Sequence, residues 1–156
     1  MRVEKDFVEL LELLKENNVK FCIIGAFAVA FHAIARYTKD MDILVEPSVD
    51  NGRKIINALK KFGFKDINLV PEDFIQKDDI VQIGYEPVRV DFVNFMEGAS
   101  FKDVWKNKVK GRYGDKDVFF IGLDDLIKNK RKAGRKIDEA DIEMLLKARK
   151  MKASGK

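Results

Sequence analysis

A chain of 156 residues, 46% hydrophobic and 36% charged, is long enough for one domain with its own core, and its Lys and Glu content beside a single cysteine fits a thermophilic source. The net charge of +4 and pI of about 9.0 permit a phosphate-bearing ligand or RNA without demanding either. One cysteine excludes an internal disulfide framework or cysteine zinc site; no apolar run nears the roughly 20 residues of a membrane span, and the N-terminus MRVEKDF is no signal peptide, so a soluble cytoplasmic protein with no membrane partner is expected.

Residues 3–16 have helical periodicity, with Val3, Phe7, Leu10, Leu11 and Leu14 on one stripe and Glu4, Glu9, Glu12 and Lys15 off it. Asn17-Asn18 ends that helix, which carries no assigned chemistry. The apolar run 21–24 reads as a strand stopped by Gly25, with Cys22 an inert core thiol. Residues 26–35 are small and apolar almost all round, which suits a helix packed tightly on a sheet. His32, the only histidine, shares a helix face with Val29 and Arg36 and is read as structural. For Arg36 and Thr38 two readings stand open: contacts to an acid or a phosphate, or a helix-terminal cation followed by a loop hydroxyl. Residues 41–45 form a second apolar strand bearing Asp40 and Asp42. Strand side chains alternate, so both carboxylates point the same way and repel unless a cation sits between them.

Pro47-Ser48 breaks that strand, and residues 49–62 form an amphipathic helix with Ile55, Ile56, Leu59 and Phe62 inward and Gly63 as its C-cap. Residues 64–76 are irregular, with Pro71 at a short helix start. Strands at 80–85 and 88–93 pair through Glu86-Pro87. Asp91 interrupts the second one; a charge there is expensive unless it is paired or faces water at a sheet edge. Ser100 caps a helix over 101–106, and Trp105 is core or interface. Lys106, Lys108, Lys110 and Arg112 read as a solvated basic face, with a nucleic-acid patch the weaker alternative. A strand over 116–121 and a helix over 123–134 follow, the latter opening with Asp124 and Asp125 at its positive end. In the last helix, 138–150, Asp138 and Asp141 lie on the apolar face with Ile142 and Leu145. They either cap free amides or pair with Arg135 or a lysine. Residues 1–151 are expected to form a single domain, and 152–156 to fray.

The stretch from Lys20 to Glu46 resembles the nucleotidyltransferase superfamily that includes DNA polymerase beta. That family shows a strand ending in Gly-Gly or Gly-Ser, about a dozen residues, then Asp-h-Asp/Glu-h with h apolar. Here the elements are Gly25-Ala26 and, after residues 27–39, Asp40-Met41-Asp42-Ile43; Ala26 departs from the usual Gly or Ser. Gly25, Ala28, His32, Arg36, Thr38, Asp40 and Asp42 are similar to the run in small prokaryotic members, including the toxin–antitoxin and abortive-infection branch. Their tail pattern is matched by Asn129, Lys130, Gly134, Arg135, Asp138 and Asp141, although Ile137 stands where a lysine is frequent.

The resemblance implies an α/β (α+β) nucleotidyltransferase-like fold: a small mixed β-sheet flanked by helices. It implies Asp40, Asp42 and Asp91 as catalytic metal ligands for Mg2+, with Mn2+ as the alternative, and a nucleoside triphosphate as substrate. In the family the first two acids bridge both metals, and the third holds the catalytic one and can assist as general base. The nucleotide is expected to meet the Gly25-Ala26 amides at a helix N-terminus, Lys130 with Arg135 behind it, and Arg36 and Thr38. The acceptor is left open between a protein side chain such as a toxin partner's, an RNA 3′ end and a small molecule; oligomerisation is also open. The alternative is a non-catalytic antitoxin or partner-binding module of the same fold. An RNA-binding role for 106–112 lacks interleaved aromatics.

Overall fold

The four residues Phe21–Ile24 are buried throughout because their strand, β1, lies inside a six-stranded sheet. The computed structural model describes residues 3–34, 38–85 and 88–154. Its elements are α1 (Lys5–Glu16), β1, α2 (Gly25–His32), β2 (Asp40–Val45), α3 (Val49–Phe62), a 3-10 turn (Pro71–Phe74), β3 (Val81–Tyr85), β4 (Val88–Val93), α4 (Phe101–Asn107), β5 (Val109–Tyr113), β6 (Lys116–Phe120), α5 (Leu123–Ala133) and α6 (Lys136–Ala153). The strand order is β3-β4-β2-β1-β6-β5. β2 with β4 and β1 with β6 are parallel, and the remaining pairs are antiparallel. This is the mixed α/β architecture with flanking helices that the sequence implied.

Of the expected stripe, Phe7, Leu10, Leu11 and Leu14 are buried and the helix packs on α3 and β6, whereas Val3 is exposed and precedes α1, which starts at Lys5 rather than 3. α3 starts where Ser48 Oγ accepts from Asn51 N at 3.1 Å, buries Ile55, Ile56, Ala58 and Leu59, and stops at Gly63. α2 buries Phe27, Ala28, Val29 and Ala30 against β1, β2, α5 and α6, the reason its sequence is apolar all round. Phe7, Phe27 and Tyr113 meet edge to face and join α1, α2 and β5 into one core. Cys22 lies inside this core, where burial pushes its thiol up to about 12.

Further expectations change. Helix α2 ends at His32 rather than running to 35, with Ala33 as its C-cap; residue 35 lies outside the described residues. Residues 109–113 form an edge strand. Tyr113 is buried while Lys110 and Arg112 face water, so part of the basic run is the outer row of a hairpin closed by Gly114-Asp115. α6 begins at Lys136 rather than about 138, and continues to Ala153. The Glu86-Pro87 connection lies outside the described residues. Among the described residues no helix is long and apolar enough to cross a membrane.

Candidate active site

The parallel pairing of β2 with β4 sets Asp40 opposite Arg89 and Asp42 opposite Asp91. Alternation puts both members of each strand on one side, while Met41, Ile43, Val90 and Phe92 fill the core on the other. Three carboxylates and one guanidinium therefore share a two-by-two block. Asp91 is not on an edge strand, because β4 lies between β3 and β2. Arg89 Nη2 donates to Asp40 Oδ2 at 2.8 Å, while its Nε stays 3.7 Å from Asp91 Oδ1. Asp40 Oδ1, Asp91 Oδ1 and Arg89 Nε are buried without a hydrogen-bond partner.

This block carries an electrostatic cost. Burial, then the charges of Asp91 and Asp40, push Asp42 up from 3.8 to about 6, against the opposing pull of Lys130 and Arg89. Burial also raises Asp91, with Arg89 as the main opposing influence. The chain adds a further constraint from β1. Ile24 is the register partner of Asp42, and the next residue, Gly25, adopts φ +67°. A Cβ there would lie 2.4 Å from Asp42 Oδ2, so only glycine lets the backbone turn this close to the carboxylate.

Asp42, Asp91 and Gly25 line a cavity of about 510 Å³, and Lys130 and Arg135 line the same space. Lys130 Nζ is buried, 3.3 Å from Asp138 Oδ1 and 3.3 Å from Asp141 Oδ2. Arg135 adds three bonds to Asp138: its backbone N at 3.1 Å, Nε at 2.9 Å and Nη2 at 3.1 Å. Its own side chain stays largely in solvent. The Arg135 side chain first, with its amide and Lys130, holds Asp138 down to about 2 despite burial. The odd acids on the apolar face of α6 are thus a buried clamp on Lys130. Gly134, left-handed at φ +66°, makes the turn that returns α6 to it.

The structure does not bring every expected residue to this cavity. Asp40 is turned to Arg89 and does not line it; nor do Ala26, in the first turn of α2, and Thr38, just before β2. Arg36 lies outside the described residues. His32 is buried, its Nε2 donating to the Ile121 carbonyl at 2.7 Å, and burial lowers its pKa, in keeping with a structural role. A broader hollow of about 600 Å³ along β3 holds none of the three acids and no basic residue. Among the described residues no three His, Cys, Asp or Glu side chains already enclose a metal position. The donors nevertheless fit a divalent cation: two carboxylate oxygens without a hydrogen bond, and a third carboxyl that burial and then its acidic neighbours make costly to ionise. Sequence reasoning missed Arg89. Its signal was the Arg-x-Asp alternation in β4, which puts Arg89 on the face of Asp91.

No family model matches the sequence, and no curated protein sequence matches it. Solved structures do match its fold. The lincosamide antibiotic adenylyltransferase LnuA, solved with lincomycin bound, aligns at TM-score 0.59 and 16% identity over 93% of this chain and 98% of that one. A nucleotidyltransferase candidate from Thermotoga maritima aligns at 0.54 and 12% identity, over 98% of this chain and 96% of that one. An antigenic nucleotidyltransferase-like protein from Paracoccidioides brasiliensis aligns at 0.52 and 12% identity, over 92% of this chain and 74% of that one. The fold is that of these nucleotidyltransferases.

Proposed function

We infer that the protein is a metal-dependent nucleotidyltransferase, which moves a nucleoside monophosphate from a nucleoside triphosphate to a hydroxyl acceptor and releases pyrophosphate. The observation that carries this reading is the facing pair Asp42–Asp91, with Asp40 beside it on β2, in a cavity that Lys130 and Arg135 also line. Carboxylates and cations around one cavity match a substrate with a metal-bound α-phosphate and a free anionic tail; Asp78, Asp79 and Glu97 line it as well.

Asp40, Asp42 and Asp91 would hold Mg2+ or Mn2+, hard cations that take oxygen ligands. The bound cation would offset triphosphate charge and acidify the acceptor hydroxyl. Asp91, which burial also raises, would receive the acceptor's proton. Gly25 keeps the backbone close to Asp42 and opens α2, whose free first amides would hold an anion. Lys130, with no freedom to swing away from Asp138 and Asp141, presents a fixed positive charge to the phosphates. Arg135, mostly exposed, closes on them from the rim. Arg36, Thr38 and Ala26 belong to the same nucleotide-binding proposal.

The reading takes residues 1–151 as one catalytic domain acting in the cytoplasm. LnuA, of nearly the same extent, works on an antibiotic. A small hydroxylated molecule is accordingly the first acceptor to try, ahead of an RNA 3′ end or a protein side chain. Calorimetry with each of the four ribonucleoside triphosphates, with and without Mg2+, tests the core of the reading. Magnesium-dependent binding that Asp40→Asn/Asp42→Asn loses supports it. Absence of binding to all four overturns it.

A further inference from the structure

None of the steps above uses Arg89, yet it makes a 2.8 Å hydrogen bond to Asp40 and reaches towards Asp91. We propose that Arg89 is the site's internal counter-ion: it holds Asp40 and Asp91 while metal is absent, competes with a divalent cation for them, and is released to the triphosphate when metal and nucleotide enter together. The proposal rests on the nucleotidyltransferase reading of this site.

Neighbouring strands are about 4.8 Å apart, so Asp40, Asp42 and Asp91 stand within mutual repulsion distance. One guanidinium offsets part of that charge. Its geometry is uneven, with a good 2.8 Å bond to Asp40 and a loose 3.7 Å approach to Asp91. That arrangement leaves Asp40 Oδ1, Asp91 Oδ1 and Arg89 Nε buried without a hydrogen bond. An ion pair kept for stability alone would satisfy those atoms, because each unmade bond costs free energy. Carboxylate oxygens left without a hydrogen bond on both sides of a guanidinium are instead what a partial stand-in for a doubly charged ion leaves behind.

Exchange of that stand-in has a defined sign. A cation that takes the oxygens of Asp40 and Asp91 leaves Arg89 half-buried without its anion. The triphosphate supplies a new one, and guanidinium is well shaped for phosphate oxygens. Metal alone therefore meets a competitor, whereas metal with nucleotide does not. By reciprocity each ligand assists the other. No bond is made or broken and no proton is transferred in this exchange.

Phosphates ligate metal themselves, so the discriminating quantity is Mn2+ affinity without nucleotide. It is read from the electron paramagnetic resonance of free Mn2+ in titrations of the wild type, Arg89→Gln and Arg89→Lys. Circular dichroism melts establish that each is folded. The expected result is Mn2+ binding at least about tenfold tighter in Arg89→Gln, within the usual range of coupling between sites. Arg89→Lys, which keeps the charge, is expected to stay within about threefold of wild type, and it remains informative if Arg89→Gln is unstable. Equal or weaker Mn2+ binding in folded Arg89→Gln overturns the proposal while leaving nucleotidyl transfer standing, provided wild type binds Mn2+ with ATP. A wild type that binds neither Mn2+ nor Mn2+ with ATP overturns both. Lysine behaving like glutamine also overturns it, because the competition is then not one of charge.

Discussion

Asp42→Asn should stabilise the metal-free protein while destroying its response to metal. Asp42 titrates near 6 in the fold against 3.8 for the free side chain, a difference of about two pH units. At about 1.36 kcal/mol per unit, that sets a ceiling near 3 kcal/mol on the cost of keeping the carboxylate ionised in the folded state. About 2 kcal/mol is a reasonable expectation for a site still partly open to solvent. The pH dependence has a definite direction. A raised acid pKa means that the folded state holds its proton longer than the unfolded chain, so wild-type stability falls as pH climbs from about 4 to 6 and is flat above that. The asparagine variant has no such loss. The two proteins should therefore match near pH 3.5 and separate to about 2 kcal/mol by pH 7, in urea unfolding with a chelator present. Adding Mg2+ and the preferred triphosphate at about 100 times the dissociation constant should return about 2.7 kcal/mol to the wild type and nothing to the variant. A variant less stable than wild type at pH 7 without metal, or a gap that ignores pH, would refute the reasoning.

Replacing Lys130 with Met leaves Asp138 and Asp141 buried without their shared cation. A loss of about 3–5 kcal/mol is expected in denaturant melts, with triphosphate binding weakened in whatever remains folded. Asp138 is held low by Arg135 and Lys130, so its contribution is complete above pH 4 and disappears as pH falls towards 2. Asp138→Asn should flatten that part of the acid-unfolding curve. Gly25→Ala combines a left-handed φ with a Cβ 2.4 Å from Asp42 Oδ2; a stability loss above about 1 kcal/mol and loss of Mg2+-dependent nucleotide binding should appear together in melts and calorimetry. Cys22, buried with its thiol raised to about 12, should ignore a disulfide reagent at pH 8 until urea unfolds the chain.

Local chemistry was legible in the residues themselves. The run 21–24 is strand-length and apolar, Pro47-Ser48 breaks β2, Gly63 and Gly134 end helices, and Asp40 and Asp42 lie two apart on a strand. Each of these follows from neighbours within a few positions, whose backbone preferences and side-chain periodicity act locally. β5 escaped notice because Lys110, Gly111 and Arg112 weaken its apolar alternation. What makes it a strand is pairing with β6, and that is not a property of residues 109–113 alone. The pairings that make the site are longer still. The choice of β4 as the parallel partner of β2 put Asp91 beside Asp42 and Arg89 beside Asp40, and the return of α6 onto α5 locked Lys130 between two acids. The sequence by itself determined which side chains carry charge and which local elements they ride on. Only the tertiary structure decided which charges share a low-dielectric space. That depends on strand order and register, and the free energy that selects them comes from burying the opposite, apolar faces of the same strands.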